Sequence, residues 1–289
     1  MAFIISGLNW KNEPCAFHLD DNIKKNLDSV KEVVLTKDFD FVALICGLPG
    51  LGKSNLAINL AKYLDPNFTE ENIAFTDEDF ISKTNLCPKH SAIILDESFA
   101  SLNSKVTQTK EFLKIINHLQ IIRQKNLFII FCLPNFFDLS KGIALYRSSY
   151  LFVTYGNEFG DRGRVAVFGR PEKKNLYIIG QKFMNYDCVQ PNFRARFVKQ
   201  KAISDERYLE MKLNHLKSRK IEENIGQGIV ERDKLLAFCR IFYNTSVKQL
   251  SDITNLSKRT IYRAIEGYKI EIDSYKGKKG AKKGQISAI

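Results

Sequence analysis

Phe41-Val42-Ala43-Leu44-Ile45-Cys46-Gly47-Leu48-Pro49-Gly50-Leu51-Gly52-Lys53-Ser54 is an apolar run, then a glycine-rich turn, then Lys-Ser at the start of a helical pattern. It fits G-x-x-x-x-G-K-[ST] at every fixed position, in the strand-then-helix setting that gives the motif its meaning. Glycines let backbone N–H groups close around phosphate oxygens, and the following helix adds the positive end of its dipole. The expected nucleotide contacts are Gly47, Leu48, Pro49, Gly50, Leu51, Gly52, Lys53, Ser54 and Asn55. Lys53 is expected to reach the β- and γ-phosphates, and the Ser54 hydroxyl to ligate Mg²⁺. The reading is an ATP site with Mg²⁺ as cofactor.

Working outward, the strand 39–46 is nearly all apolar, as a parallel strand buried on both faces should be. Leu56, Ala57, Leu60, Ala61 and Leu64 then recur at helical spacing, and Pro66 ends that helix. Residues 73–76 form a short second strand followed by Asp77, Glu78 and Asp79. These acids read as a solvated loop or, less often, as a metal or partner contact. Ser91-Ala-Ile-Ile-Leu-Asp96-Glu97 is an apolar strand ending in Asp-Glu. Asp96 is expected to hold Mg²⁺, directly or through water, and Glu97 to orient or deprotonate the attacking water. A Glu immediately after the Asp favours hydrolysis over phosphoryl transfer to a small molecule.

Residues 105–125 read as a helix with Phe112, Leu113, Ile115, Ile116, Leu119 and Ile122 on a wide apolar face. The next strand, 127–133, ends in Pro134-Asn135. Asn135 is either a γ-phosphate sensor or a turn residue after proline. Arg147, just before a strand at 150–154, is either an arginine finger offered to a neighbouring subunit or an ordinary surface arginine. Residues 164–180 suggest a β-hairpin with a basic tip at Arg170, Lys173 and Lys174, available to nucleic acid or merely solubilising.

Net charge is +12 over 289 residues, and its placement is uneven. Residues 1–190 carry 22 Lys+Arg against 21 Asp+Glu, whereas 191–289 carry 22 against 11. The basic back third is the part expected to meet a polyanion. No run approaches the length of a membrane span, and the N-terminus lacks the basic region of a signal peptide. The six cysteines form no C-x-x-C pair, which fits a reduced cytoplasmic setting without structural zinc. Trp10 is expected in the core, and 23–31 as a short helix.

Residues 204–222 read as a polar helix, and Ile225-Gly-Gln-Gly as a linker. The second clear signal lies at 229–270. Helical patterns at 229–243 and 246–254 precede a turn at Asn255-Leu256-Ser257, with Ser257 capping a third helix. Leu250 and Ile253 would pack against Ile261 and Ile265. This is helix-turn-helix spacing. Ser257, Lys258, Arg259, Thr260, Tyr262 and Arg263 would line the face that meets DNA. A small helical bundle used for oligomerisation is the alternative. The tail, 271–289, reads as basic and disordered.

On Lys53/Ser54, Asp96/Glu97, the Asn135 strand end and Arg147, the chain resembles P-loop ATPases with an additional catalytic-glutamate strand. Within them it is most similar to the HerA–FtsK group, including zonular-occludens-toxin-like ATPases of phages and mobile elements. The resemblance spans roughly 39–155. It departs at Pro134-Asn135, where a Gln is usual, and in lacking the toxin-like members' C-terminal membrane span. It implies an α/β three-layer sandwich with a mostly parallel sheet and a third strand between those of the two motifs. It also implies a ring-forming homo-oligomer that translocates or packages DNA. The expected organisation is an ATPase domain at 1–200, a helical linker at 201–228, a helix-turn-helix domain at 229–270 and the tail. The alternative functions are an ATP-gated DNA-binding switch or loader with slow turnover and, more weakly, a small-molecule kinase.

Overall fold

A computed structural model of the chain describes residues 2–8, 14–96, 110–156, 162–198 and 202–268. It divides into two compact units, 1–212 and 213–289.

The first unit opens with an antiparallel pair, β1 (Ala2–Leu8) and β2 (Pro14–Leu19), and a helix, α1 (Asp21–Thr36), capped by Asp20. The core elements follow: β3 (Phe41–Cys46), α2 (Lys53–Leu64), β4 (Ile73–Ala74), α3 (Asp77–Leu86), β5 (Ala92–Asp96), α4 (Lys110–Ile121), β6 (Phe128–Leu133) and β7 (Tyr150–Tyr155). The unit ends with β8 (Arg164–Phe168), α5 (Arg170–Gly180) and β9 (Phe193–Arg196). One seven-stranded sheet runs β4-β5-β6-β3-β7-β8-β9. The first five of these strands are parallel, and β8 and β9 add antiparallel strands beyond β7. A third strand, β6, thus separates β3 from β5, as the resemblance implied.

Strand alternation makes the layers. Phe41, Ala43 and Ile45 of β3 join the core under α1 and α2, while Val42, Leu44 and Cys46 join the core under α4 and α5. The strands β5 and β6 split in the same way. Each side chain of this size contributes about 1.5–3 kcal/mol on full burial, which is why the central strands carry no polar position before their ends.

Several expectations are corrected. Asp77, Glu78 and Asp79 are not a loop. They form the first turn of α3, capped by Thr76 Oγ1, which accepts from the Asp79 N–H at 3.0 Å, and acids are favoured there by the helix dipole. The hairpin at 164–180 is a strand and a helix. Gly169 caps α5, Pro171 sits in its first turn, and Leu176, Tyr177 and Gly180 face the core. A Gly-Arg-Pro-Glu stretch that suits a turn here starts a helix instead. Lys173, expected at a basic tip, is fully buried, and its ammonium donates to the Ser148 carbonyl and, at 2.6 Å, to Ser148 Oγ.

A long helix, α6 (Asp205–Phe242), runs through the expected linker at 225–228. In the second unit it is followed by α7 (Val247–Thr254), with a capping box at Ser246 and Gln249, and by a helix over 258–268, α8. Asn255 takes the left-handed backbone expected of it, at φ 58°. Leu236, Leu250, Ile261 and Ala264 form the small core, with Leu256 and Ile265 packed against it. Ile253 does not join them; it is 79% exposed. On α7 it lies three residues after Leu250, but only Leu250 faces inward. Trp10, residues 105–109 and the tail lie outside the described residues.

Candidate functional site

Parallel pairing brings the C-terminal ends of β5, β6, β3 and β7 to one edge of the sheet. Sites form at such edges, where the chain leaves each strand for a loop or helix. Cys46 is level with Leu133 and Val153, and Asp96 with Cys132. The glycine loop, Asp96, Asn135 and Thr154–Gly156 therefore share one rim.

Two glycines of the loop sit where a side chain would not fit. Gly47 has φ 144°, and a Cβ there would come within 2.3 Å of Thr154 Oγ1. Gly52 caps α2 in the left-handed region at φ 88°, and a Cβ there would meet the Phe197 ring at 2.9 Å. Only glycine suits either position. Lys53 folds back on the loop, donating to the carbonyls of Gly47 at 2.8 Å and Leu48 at 3.1 Å. Ser54 Oγ donates to the Asp96 carboxylate, at 3.1 Å from Oδ1 and 2.9 Å from Oδ2. Residues 42 apart in sequence thus meet at the mouth of the loop.

The fold is that of a P-loop NTPase.

Ser54 and Asp96 supply a hydroxyl and a carboxylate oxygen in contact, a hard-oxygen pair that suits Mg²⁺. Among the described residues no group of three or more His, Cys, Asp or Glu side chains gathers to hold a metal. A magnesium ion that takes its remaining ligands from phosphate and water requires none.

Beside the loop lies a cleft of about 770 Å³, bordered by Leu48, Asn135, Thr154, Tyr155, Tyr186 and Arg194. The Arg194 guanidinium stands 5.4 Å from the centre of the Tyr155 ring. Asn135 is on this rim but is engaged: its amide donates to Asp138 at 2.9 Å, and its oxygen accepts from the Tyr186 hydroxyl at 2.9 Å. Burial pushes the Cys46 and Cys132 thiols well above their usual range, so both stay neutral beneath the rim.

Arg147 stands apart from this rim. It lies at the end of a π-helical turn, Gly142–Arg147, ahead of β7, so it sits at the opposite end of the sheet from the glycine loop. Its guanidinium donates to both oxygens of Asp40 and, at 3.0 Å, to the Leu119 carbonyl. A guanidinium held by three acceptors ties the approach to β3 and the turn ahead of β7 to α4. Glu97 lies outside the described residues.

One site residue was missed altogether. The Tyr208 hydroxyl donates to Asp96 Oδ2 at 2.6 Å, from the first turn of α6 and 112 residues away in sequence. Tyr208 is 5% exposed and packs against Phe75 at 6.3 Å between ring centres. Burial, then the Asp96 charge, push its phenol far up, so the hydroxyl keeps the proton it donates. The chain reaches it along α2: the Asn55 amide donates to the Val198 carbonyl at 2.6 Å, and the Ala202 N–H donates to Asn59 Oδ1 at 2.9 Å.

In the second unit Ser257 Oγ accepts from the Thr260 N–H at 3.2 Å, capping α8 as expected. Lys258, Arg259, Tyr262 and Arg263 are exposed and Thr260 is half-buried, while Ile261 and Ala264 turn inward.

No family model and no curated protein matches the chain. Among solved structures it is similar to the N-terminal domain of zonular occludens toxin from Neisseria meningitidis, at 16% identity and TM-score 0.34, over 46% of this chain and 85% of that one. It is similar to the genome packaging NTPase B204 of Sulfolobus turreted icosahedral virus 2 in complex with AMPPCP, at 15% identity and TM-score 0.32, over 47% of this chain and 95% of that one. A third is the cytoplasmic domain of the Thermomonospora curvata type VII secretion ATPase EccC, at 14% identity and TM-score 0.28, over 58% of this chain and 25% of that one. At these scores the fold assignment stands on this chain's own sheet order and loop geometry.

Proposed function

We propose that the protein is a Mg²⁺-dependent ATPase that works on DNA. The observation that carries the ATPase reading is the contact of Ser54, first turn of α2, with Asp96, last residue of β5, at the mouth of a glycine loop. Loop N–H groups and Lys53 hold the phosphates, and the adjoining cleft receives the nucleoside. Ser54 and Asp96 hold the metal, which would draw charge from the phosphate oxygens when bound. Glu97, next in sequence to Asp96, activates water.

DNA binding is assigned to the second unit. Its support is the basic excess after residue 190 and the exposed Lys258, Arg259 and Arg263 on one capped helix over a small core. Packaging or translocation by a homo-oligomeric ring in a virus or mobile element is the form the family resemblance favours. A slow, ATP-gated switch is the second reading, and the Tyr208 contact with Asp96 favours it.

Steady-state ATP hydrolysis, with and without duplex DNA, tests the reading in the full chain and in a Lys258→Ala/Arg259→Ala/Arg263→Ala variant. Stimulation by DNA that the triple variant loses is expected. Absence of Mg²⁺-dependent hydrolysis under every condition refutes the ATPase. Hydrolysis indifferent to DNA, with ATP instead altering DNA affinity, replaces the motor by the switch.

A further inference from the structure

Among the described residues two hydroxyls donate to the Asp96 carboxylate. Ser54 is the expected one, and Tyr208 is not. Both reach Oδ2, Ser54 at 2.9 Å and Tyr208 at 2.6 Å. Magnesium holds its oxygen ligands at about 2.0–2.1 Å in an octahedron, and it keeps waters that bond to nearby carboxylates. A phenol oxygen 2.6 Å from Asp96 Oδ2 takes up a hydrogen-bonding position on the carboxylate that such a water would compete for. A chain of contacts holds the phenol there. Phe197 lies on Gly52, Val198 is bonded by Asn55, Ala202 by Asn59, and Tyr208 closes on Asp96. Asn55 and Asn59 are one helical turn apart on α2, so Val198 and Ala202 are bonded along one face of that helix. Lys53, folded onto the loop carbonyls, is in the arrangement it must leave when phosphates arrive.

We propose that Tyr208 plugs the metal position of the P-loop, and that binding of a magnesium–nucleoside triphosphate expels it and frees the first turn of α6. The inference rests on the nucleotide reading of the site. Metal-free nucleotide meets only the glycine loop and Lys53, so it has no need to displace the phenol. The metal complex does. Nucleotide occupancy is thereby coupled to the start of α6.

The test is binding of a fluorescent, non-hydrolysable ATP analogue to the full chain, in Mg²⁺ and in EDTA. Wild type is compared with Tyr208→Phe, which keeps the ring packed on Phe75 and removes only the hydroxyl. The variant is expected to bind the Mg²⁺ complex about tenfold more tightly, the order of one hydrogen bond to a charged group. In EDTA the two proteins should bind alike. Independently, amide exchange of wild type over 205–212 should speed up on adding the Mg²⁺ complex and stay unchanged with nucleotide in EDTA. Equal or weaker Mg²⁺-dependent binding by Tyr208→Phe overturns the plug, since a tyrosine that merely supports Asp96 would weaken binding when lost. Unchanged exchange over 205–212 overturns it too. If neither protein binds nucleotide with or without metal, the nucleotide reading itself fails, a result distinct from equal binding by both.

Discussion

Replacing Arg147 with alanine should unfold this protein more readily without touching its chemistry. The side chain is 20% exposed and its partner Asp40 8%, and the pair is bidentate with a further bond to the Leu119 carbonyl. Exposed ion pairs are worth at most about 1 kcal/mol, while removing one partner of a buried pair costs about 3–5 kcal/mol. This pair lies between those limits, so a loss of about 2–3 kcal/mol is expected. In a domain of this size that lowers the melting temperature by roughly 5–10 °C. The assay is thermal and urea unfolding of wild type, Arg147→Ala, Asp40→Asn and the double variant, with hydrolysis measured per folded molecule. The double variant should be less destabilised than the two singles added together, because either change alone already breaks the pair. Hydrolysis should change less than twofold, an expectation that follows from the distance between the two ends of the sheet. The reasoning is refuted if Arg147→Ala melts like wild type while hydrolysis collapses. It is refuted most directly if activity then returns on mixing with Lys53→Ala protein, because that is the behaviour of an arginine supplied between subunits.

Three further outcomes follow from the site and the core. Glu97→Gln should lower steady-state hydrolysis by about 10²–10⁴-fold, the usual worth of a positioned base, while nucleotide affinity measured by fluorescence is kept. Burial pulls the Lys173 ammonium down to about 7 from an ordinary 10.5. Between those values the unfolded chain holds a proton that the folded chain does not, so this group makes stability rise with pH from about 7 to 10.5 and leaves it flat below. Lys173→Met should remove a slope of up to about 1.4 kcal/mol per pH unit, read as the wild-type-minus-variant difference in unfolding free energy at pH 7.5, 8.5 and 9.5. Lys258→Ala and Arg259→Ala should each weaken duplex binding at every sequence and reduce the salt slope of log Kd by about 1, whereas an unchanged slope would remove α8 from the interface.

The parts that were legible in the sequence are those whose chemistry is local. A glycine-rich turn after an apolar strand, or a Lys-Ser opening a helix, is written in adjacent residues. The central strands were legible because burial on both faces leaves no room for a polar residue, and each of β3, β5 and β6 is buried along its whole length. Arg147 and Lys173 misled for one reason. A charged side chain in a polar stretch reads as exposed, and only the fold shows Asp40 beside the one and the Ser148 carbonyl beside the other. The hairpin at 164–180 failed because Pro171 suits a turn and a first helical turn equally, and the core beneath α5 decided between them. The pair β1 and β2 escaped notice because two strands of seven and six residues offer only a short periodic pattern, although Ile4, Phe17 and Leu19 join the core.

Tyr208 was beyond local reading, yet α2 carries a trace of it. An amphipathic helix on a sheet shows one apolar stripe and one polar face. In α2 every residue from Asn55 to Lys62 is buried, so the helix is covered on the side away from the sheet as well. A buried asparagine is costly unless its amide is bonded, and two of them one turn apart require a backbone lying alongside with groups to bond. Asn55 and Asn59 in an otherwise apolar Leu-Ala-Ile-x-Leu-Ala pattern therefore demanded a strap, although nothing in the sequence said which segment provides it. The strap's identity fixes where it ends. Phe197, Val198 and Ala202 meet α2 at Gly52, Asn55 and Asn59 in turn, and Tyr208 in the helix that follows meets the end of β5, the strand that carries Asp96. The covering that stabilises the P-loop helix thus also delivers a hydroxyl to Asp96, the carboxylate proposed to hold the metal, and the two effects separate only in a variant such as Tyr208→Phe that keeps the cover and removes the oxygen.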